Sequence, residues 1–175
     1  MKYLTFLLLT LVFIGCNNPA KKPTQKKNPW SRDHSVSYHK EVNEREQLSI
    51  SFYLEQHPEL KNAFVMTQSG LRYSIIKKNE KGKIGEPGTT ASIILKIRLL
   101  DGSLCYETPE DYYDEVPIDH NDQESGLNEA LKLMRKGESA KLILPNHLAH
   151  GLVGDLDKIP PLAILLLDVE LIDLK

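Results

Sequence analysis

The sequence predicts an α+β chain in which an antiparallel sheet curls around a single amphipathic helix, with a second helix ahead of it. Three observations carry this. Short Leu- and Ile-rich runs bounded by turn residues recur from position 65 onward. One stretch, "SGLNEALKLMRKG", repeats apolar residues at helical spacing. The pair Asp101-Gly102, flanked by apolar runs, is a strong hairpin signal.

The elements follow in chain order. "MKYLTFLLLTLVFIGC" has a lysine at position 2, an apolar run from Leu7 to Ile14, then Gly15 and Cys16. The run is too short and wrongly flanked for a membrane span and reads as an export signal over residues 1–15. A small residue directly before a cysteine resembles a bacterial lipobox, which implies cleavage before Cys16 and lipidation of its thiol, although position 13 is Phe where that motif usually has Leu. Residues 16–38 are rich in Pro, Lys and Asn without apolar period and read as a flexible basic stalk. Lys21, Lys22, Lys26, Lys27, Arg32 and Lys40 give it a charge that favours an anionic bilayer or, equally, plain solvation. A helical extension over 39–62 has Leu48 and Phe52 four apart on one face, and Pro58 should end the helix. That face serves either packing onto the chain's own domain or a homodimer.

The rest, 63–175, is large enough to bury a core of its own. Val65–Thr67 and Leu71–Ile76 read as strands around Ser69-Gly70, and "TASIILKIRLLDGSLCYET" as two strands of a hairpin. Residues 109–125 are acidic and irregular, with an apolar island at Val116–Ile118. Leu127, Leu131 and Met134 share one stripe of the amphipathic helix, which Gly137 stops. "ESAKLILP" alternates as a strand with Ala140, Leu142 and Leu144 on one side, and Leu162–Leu174 is the last strand.

Composition excludes some functions. A net charge of −2 argues against nucleic acid as a partner. With only Cys16 and Cys105 present, a lipidated Cys16 leaves no disulfide, and Cys105 reads as a small buried hydrophobe. In "LPNHLAHGLVGDLDKIPP", His147 and His150 stand three apart, with Asp155 and Asp157 beyond. A Gly-flanked loop does not align such a pair, and no third N or S ligand is near, so the segment reads as a pocket wall with no metal. No cofactor is called for. The acids Glu107, Glu110, Asp111, Asp114 and Glu115, with Tyr112 and Tyr113, read as a solvated loop or as a selector of basic segments in a partner chain.

From Ser69 to Lys175 the motifs and their order resemble the FKBP-type peptidyl-prolyl cis-trans isomerases: "SGLRY" at the opening, "LLDGSLCYET" at the hairpin, "GLNEALKLMRKGE" at the helix, and "LILPNHLAHG…IPP…LLLDVELI" at the close. The lipobox, stalk, helical extension and acidic "YETPEDYYDEVPID" narrow the resemblance to gliding-motility-associated FKBP-like lipoproteins of Bacteroidetes. The resemblance implies an FKBP-like half-barrel sheet wrapped over one helix. It also implies a cleft between helix and sheet that grips proline and holds the preceding amide twisted, with no nucleophile or metal. Its clients would be proline-containing polypeptides in a bacterial cell envelope, with the lipid on Cys16 holding the chain to a membrane.

Carried over residue by residue, the family's aromatics are mostly replaced. The floor tryptophan falls at Leu127, the strand tyrosine at Leu95, the hairpin's Phe-Asp pair at Cys105-Tyr106, and the closing-strand phenylalanine at Leu167. The loop tyrosine that meets the substrate carbonyl falls at His150, and an apolar cleft residue at Glu124, while Val116, Ile159 and the Ile-Pro-Pro turn persist. The resemblance thus makes His150, Tyr106 and Leu127 the catalytic candidates, and Leu95, Cys105, Val116, Glu124, Ile159 and Leu167 the substrate-binding ones. Aromatic truncations in packed sites cost about 3–5 kcal/mol, and leucine keeps only part of that contact. Weak proline binding and slow isomerisation are therefore expected. Two readings stay open: a membrane-anchored isomerase that assists folding of exported proteins, and a catalytically weak or inactive binding module of the same fold.

Overall fold

The structure is a computed structural model that describes residues 32–120 and 125–175. The export signal, Cys16, most of the stalk and Glu124 lie outside the described residues. Among the described residues seven strands form one antiparallel sheet: β1 (Val65–Met66), β2 (Arg72–Lys77), β3 (Thr90–Leu99), β4 (Leu104–Glu107), β5 (Asp114–Pro117), β6 (Ser139–Leu144) and β7 (Leu165–Leu174). Their order across the sheet is β1-β2-β6-β7-β3-β4, with β5 also paired to β3. The helices are α1 (Arg32–Gln56), α2 (Pro58–Lys61) and α3 (Ser125–Leu133).

Alternation decides which face of the sheet is buried. Leu165, Leu167, Val169 and Leu171 of β7 and Ala140, Leu142 and Leu144 of β6 point inward, onto Leu127, Ala130, Leu131 and Met134 of the α3 segment. The outward positions of the same strands include charged residues, with Asp168 held between Arg98 Nη1 and Lys141 Nζ, each at 2.5 Å. Ala91, Ile93 and Ile97 of β3 face the core by the same alternation, and the register shift between Ser92 and Ile93 places the extra residue, Ile172, on β7. Helix and sheet approach closely because Gly126 has no side chain. A Cβ there would lie 2.7 Å from Leu144 Cγ and 2.9 Å from the Leu148 carbonyl.

Three expectations need correction. The apolar island around Val116 is a true strand, β5, because its backbone pairs with Thr90–Ile93 of β3. The last strand begins at Leu165, not Leu162, since Leu162 follows Pro160-Pro161 with φ +62 and cannot extend the ladder. Helix α3 stops at Leu133, ahead of Gly137. The intervening turn is closed instead by Glu138, whose carboxylate accepts the N–H groups of Arg135 (2.9 Å) and Asn79 (3.0 Å).

Helix α1 is already formed at Arg32 and ends just before Pro58, which opens α2. The face that carries Leu48 and Phe52 is not the one that packs on the chain's own domain. Leu48 and Phe52 are 70% and 63% exposed, whereas Ile50 is fully buried and Glu46 is 5% exposed. Gln47 accepts from Arg72 Nη2 of β2 at 2.7 Å, and Glu46 accepts from Asn146, just past β6. Packing of α1 thus uses Ile50 and polar anchors, which the Leu48/Phe52 spacing does not reveal. On β6, Ile143 is fully buried although it lies outside the main core cluster and alternates away from it.

Candidate active site

The residues aligned with the family cleft come from five elements. Leu127 opens α3, Leu95 lies on β3, Cys105 and Tyr106 on β4, Val116 on β5, and Leu167 on β7. The loop between β6 and β7 adds His150 and Ile159. Leu127, Cys105, Val116, Ile159 and Leu167 belong to one apolar cluster, and Leu95 and Tyr106 pack against it. All five cluster members are between 1% and 4% exposed, so the walls are closed against one another. Burial pushes the Cys105 thiol pKa up, and its Sγ faces the Lys158 carbonyl at 3.7 Å.

The polar rim is organised by Asp155. Its Oδ1 accepts the N–H groups of Asp157 (2.9 Å) and Ile159 (2.8 Å), and the Tyr106 hydroxyl donates to Oδ2 at 2.5 Å. The Tyr106 bond is the main reason the carboxyl is held down at about 2, and the tyrosine is pushed up to about 12 by the same bond. Lys158 Nζ lies 4.7 Å over the Tyr106 ring. The hydroxyl is therefore committed to the loop, fixing Ile159 against the core. Gly154 is required in this turn: it has φ +74, and a Cβ would lie 2.1 Å from the Ile159 carbonyl.

His150 is half-buried, between Ala149 and Gly151. Both neighbours donate their N–H to one acceptor, the Asn146 carbonyl, at 3.1 and 2.8 Å. His147 points elsewhere: its Nε2–H donates to the Ser69 carbonyl at 2.9 Å, tying the loop to the turn before β2. Among the described residues no three His, Cys, Asp or Glu side chains converge as a metal site.

The acidic segment divides. Glu107 pairs with Lys96, Asp114 accepts from Thr108, and Glu115 accepts from Ser92 and Lys175, each at 2.8 Å. Glu110, Asp111, Tyr112 and Tyr113 face solvent. Sequence reasoning treated Asp155 only as a candidate ligand and passed over Asn146. For Asp155 the Gly-Asp pair before a turn was the available signal, since aspartate closes such turns through its own carboxylate. Nothing in the sequence singled out Asn146.

Residues 82–172 match the profile of the family described as FKBP-type peptidyl-prolyl cis-trans isomerase. The FKBP-type peptidyl-prolyl cis-trans isomerase FkpA of Buchnera aphidicola is 33% identical over 138 residues, which cover 77% of this chain and 53% of that protein. The chain therefore spans about half the length of this relative. The macrophage infectivity potentiator of Trypanosoma cruzi is 26% identical over 172 residues, 98% of this chain and 83% of that one. The crystal structure of FkpA from Escherichia coli superposes with a TM-score of 0.63 at 25% identity, covering 82% of this chain and 67% of that chain.

Proposed function

Because the chain belongs to the FKBP-type peptidyl-prolyl cis-trans isomerase family, we propose that it catalyses, slowly, the cis-trans isomerisation of Xaa-Pro bonds in exported polypeptides. What supports this above all is the gathering of Leu127, Cys105, Val116, Ile159 and Leu167 in one apolar cluster with Tyr106 packed on it. Rotation about an amide bond costs about 18–20 kcal/mol because it breaks resonance. The twisted amide is less polar than the planar one. An apolar slot therefore disfavours the planar ground state relative to it, and each 1.4 kcal/mol or so of that difference is about tenfold in rate. The proline ring would enter among Leu127, Val116, Ile159 and Leu167. The His150 ring, where the family has a tyrosine, would donate to the rotated carbonyl.

The lipobox-like Cys16 ties the chain to a membrane of a bacterial envelope, and among the described residues no helix is long and apolar enough to cross one. Its clients are proline-containing segments of other envelope proteins. The exposed Leu48 and Phe52 of α1 suit a homodimer contact. A place in a gliding-motility complex rests on the lipobox, stalk, helical extension and acidic segment.

One observation favours the second reading, a binding module with lost catalysis: the cluster walls are at most 4% exposed, so a proline ring must displace buried side chains to enter. A protease-coupled or exchange-NMR assay on a panel of Xaa-Pro peptides separates the two. Acceleration that scales with protein concentration supports the isomerase. No acceleration at high protein concentration, with suppression of client aggregation intact, leaves the binding module.

A further inference from the structure

We propose that Glu46 of α1 is a positioning residue for the His150 turn, so that α1 is part of the working isomerase unit and not a tether to it. The proposal rests on the isomerase reading for its consequence and on the geometry below for its cause. The Glu46 side chain is 5% exposed, and one of its oxygens, Oε1, accepts both the backbone N–H (2.5 Å) and the side-chain amide (2.9 Å) of Asn146. Asn146 is also only 5% exposed. Its carbonyl, in turn, accepts from Ala149 and Gly151, the two neighbours of His150. The Gly151 carbonyl then accepts from Leu162 at 2.9 Å, beyond the Ile-Pro-Pro wall. A chain of hydrogen bonds thus runs from a helix one hundred residues upstream to both sides of the cleft loop.

The chemistry of the anchor argues for placement over stability. A buried carboxylate is expensive, and an apolar side chain of similar volume would dock a helix at lower cost. The second Glu46 oxygen, Oε2, and Arg72 Nη1 are both buried without a protein hydrogen-bond partner, although the opposite charges of Glu46 and Arg72 attract each other. What the carboxylate supplies is a directional acceptor for two donors of one residue, which fixes the register of α1 against the turn. Removing it strands two buried donors on Asn146.

The test uses the full chain with Glu46→Leu, which keeps apolar docking but removes the acceptor, and Glu46→Gln, which keeps an acceptor oxygen. Amide hydrogen exchange is followed at Ala149 and Gly151, with Leu167 of β7 as the reference for global opening. For Glu46→Leu we expect exchange at Ala149 and Gly151 to quicken by about tenfold or more, the scale of a stranded buried donor, with Leu167 unchanged. The kcat for Xaa-Pro peptides should fall with KM within about twofold. Glu46→Gln should restore parental exchange and kcat. Exchange at Ala149 and Gly151 within twofold of the parent in Glu46→Leu, or acceleration shared equally by Leu167, overturns the proposal. So does tenfold faster exchange at those amides in Glu46→Gln, the arm that stands if Glu46→Leu does not fold. Should the parent show no isomerase activity, the function reading fails, and the exchange data still decide the positioning claim.

Discussion

Ile50→Ala asks directly whether α1 packs in solution as described. Ile50 is fully buried, whereas Leu48 and Phe52 on the same helix are 70% and 63% exposed. Removing about three buried carbons at roughly 0.8 kcal/mol each forfeits about 2.5 kcal/mol of transfer free energy. The cavity left behind raises the total into the range of about 3–4 kcal/mol. Leu48→Ala and Phe52→Ala should each stay within about 0.5 kcal/mol of the parent, as exposed positions do. Urea unfolding is the assay. With a slope of about 2 kcal/mol per molar for a chain of this size, the Ile50 midpoint should fall by about 1.5–2 M and the other two by less than about 0.3 M. Equal, small shifts in all three would mean that α1 does not pack, and the hydrogen-bond route from Glu46 would lose its basis. A loss at Phe52 above about 1 kcal/mol that grows with protein concentration would instead mark the exposed stripe as a contact between copies.

Tyr106→Phe should raise the Asp155 pKa from about 2 toward, but not to, the ordinary 3.8, because the Asp157 and Ile159 N–H groups still donate; side-chain carboxyl NMR titration reads it directly. The sign for stability follows. A depressed carboxyl contributes above about pH 4 and loses that contribution as pH falls through about 2, so parent and variant stability curves should converge toward pH 2. Gly154→Ala puts a methyl group into the Ile159 carbonyl at φ +74 and should destabilise by at least about 2 kcal/mol in thermal or urea melts. Leu127→Trp combined with His150→Tyr should raise isomerase activity at least about tenfold over the parent in the peptide assay, and no change would remove Leu127 and His150 from the cleft.

Sequence and structure agree where periodicity is strong. The alternation in β6, the Asp101-Gly102 turn and the helical spacing of Leu127 and Leu131 all report local geometry, and each produced the expected element. They diverge where a distant partner decides. Strand β5 has only four residues and exists because β3 offers it a ladder. The packed side of α1 was hidden because its anchors are Glu46 and Gln47, while the more conspicuous Leu48 and Phe52 face water. At the candidate site, the apolar residues could be aligned by motif. The partner of Tyr106 could not, because Asp155 lies 49 residues away and meets it only once the β6–β7 loop folds back.

The order of strands carries a consequence for how the molecule assembles. β7 is the latest of the seven along the chain, yet it lies at the centre of the sheet, between β6 and β3. Until it arrives, β2–β6 on one side and β3–β4–β5 on the other are separate ribbons, each with an apolar face and an unpaired edge where β7 will pair. Closure over such separations is slow and has to wait for β7. A nascent or threaded copy therefore cannot complete its sheet until β7 has emerged to join the two ribbons.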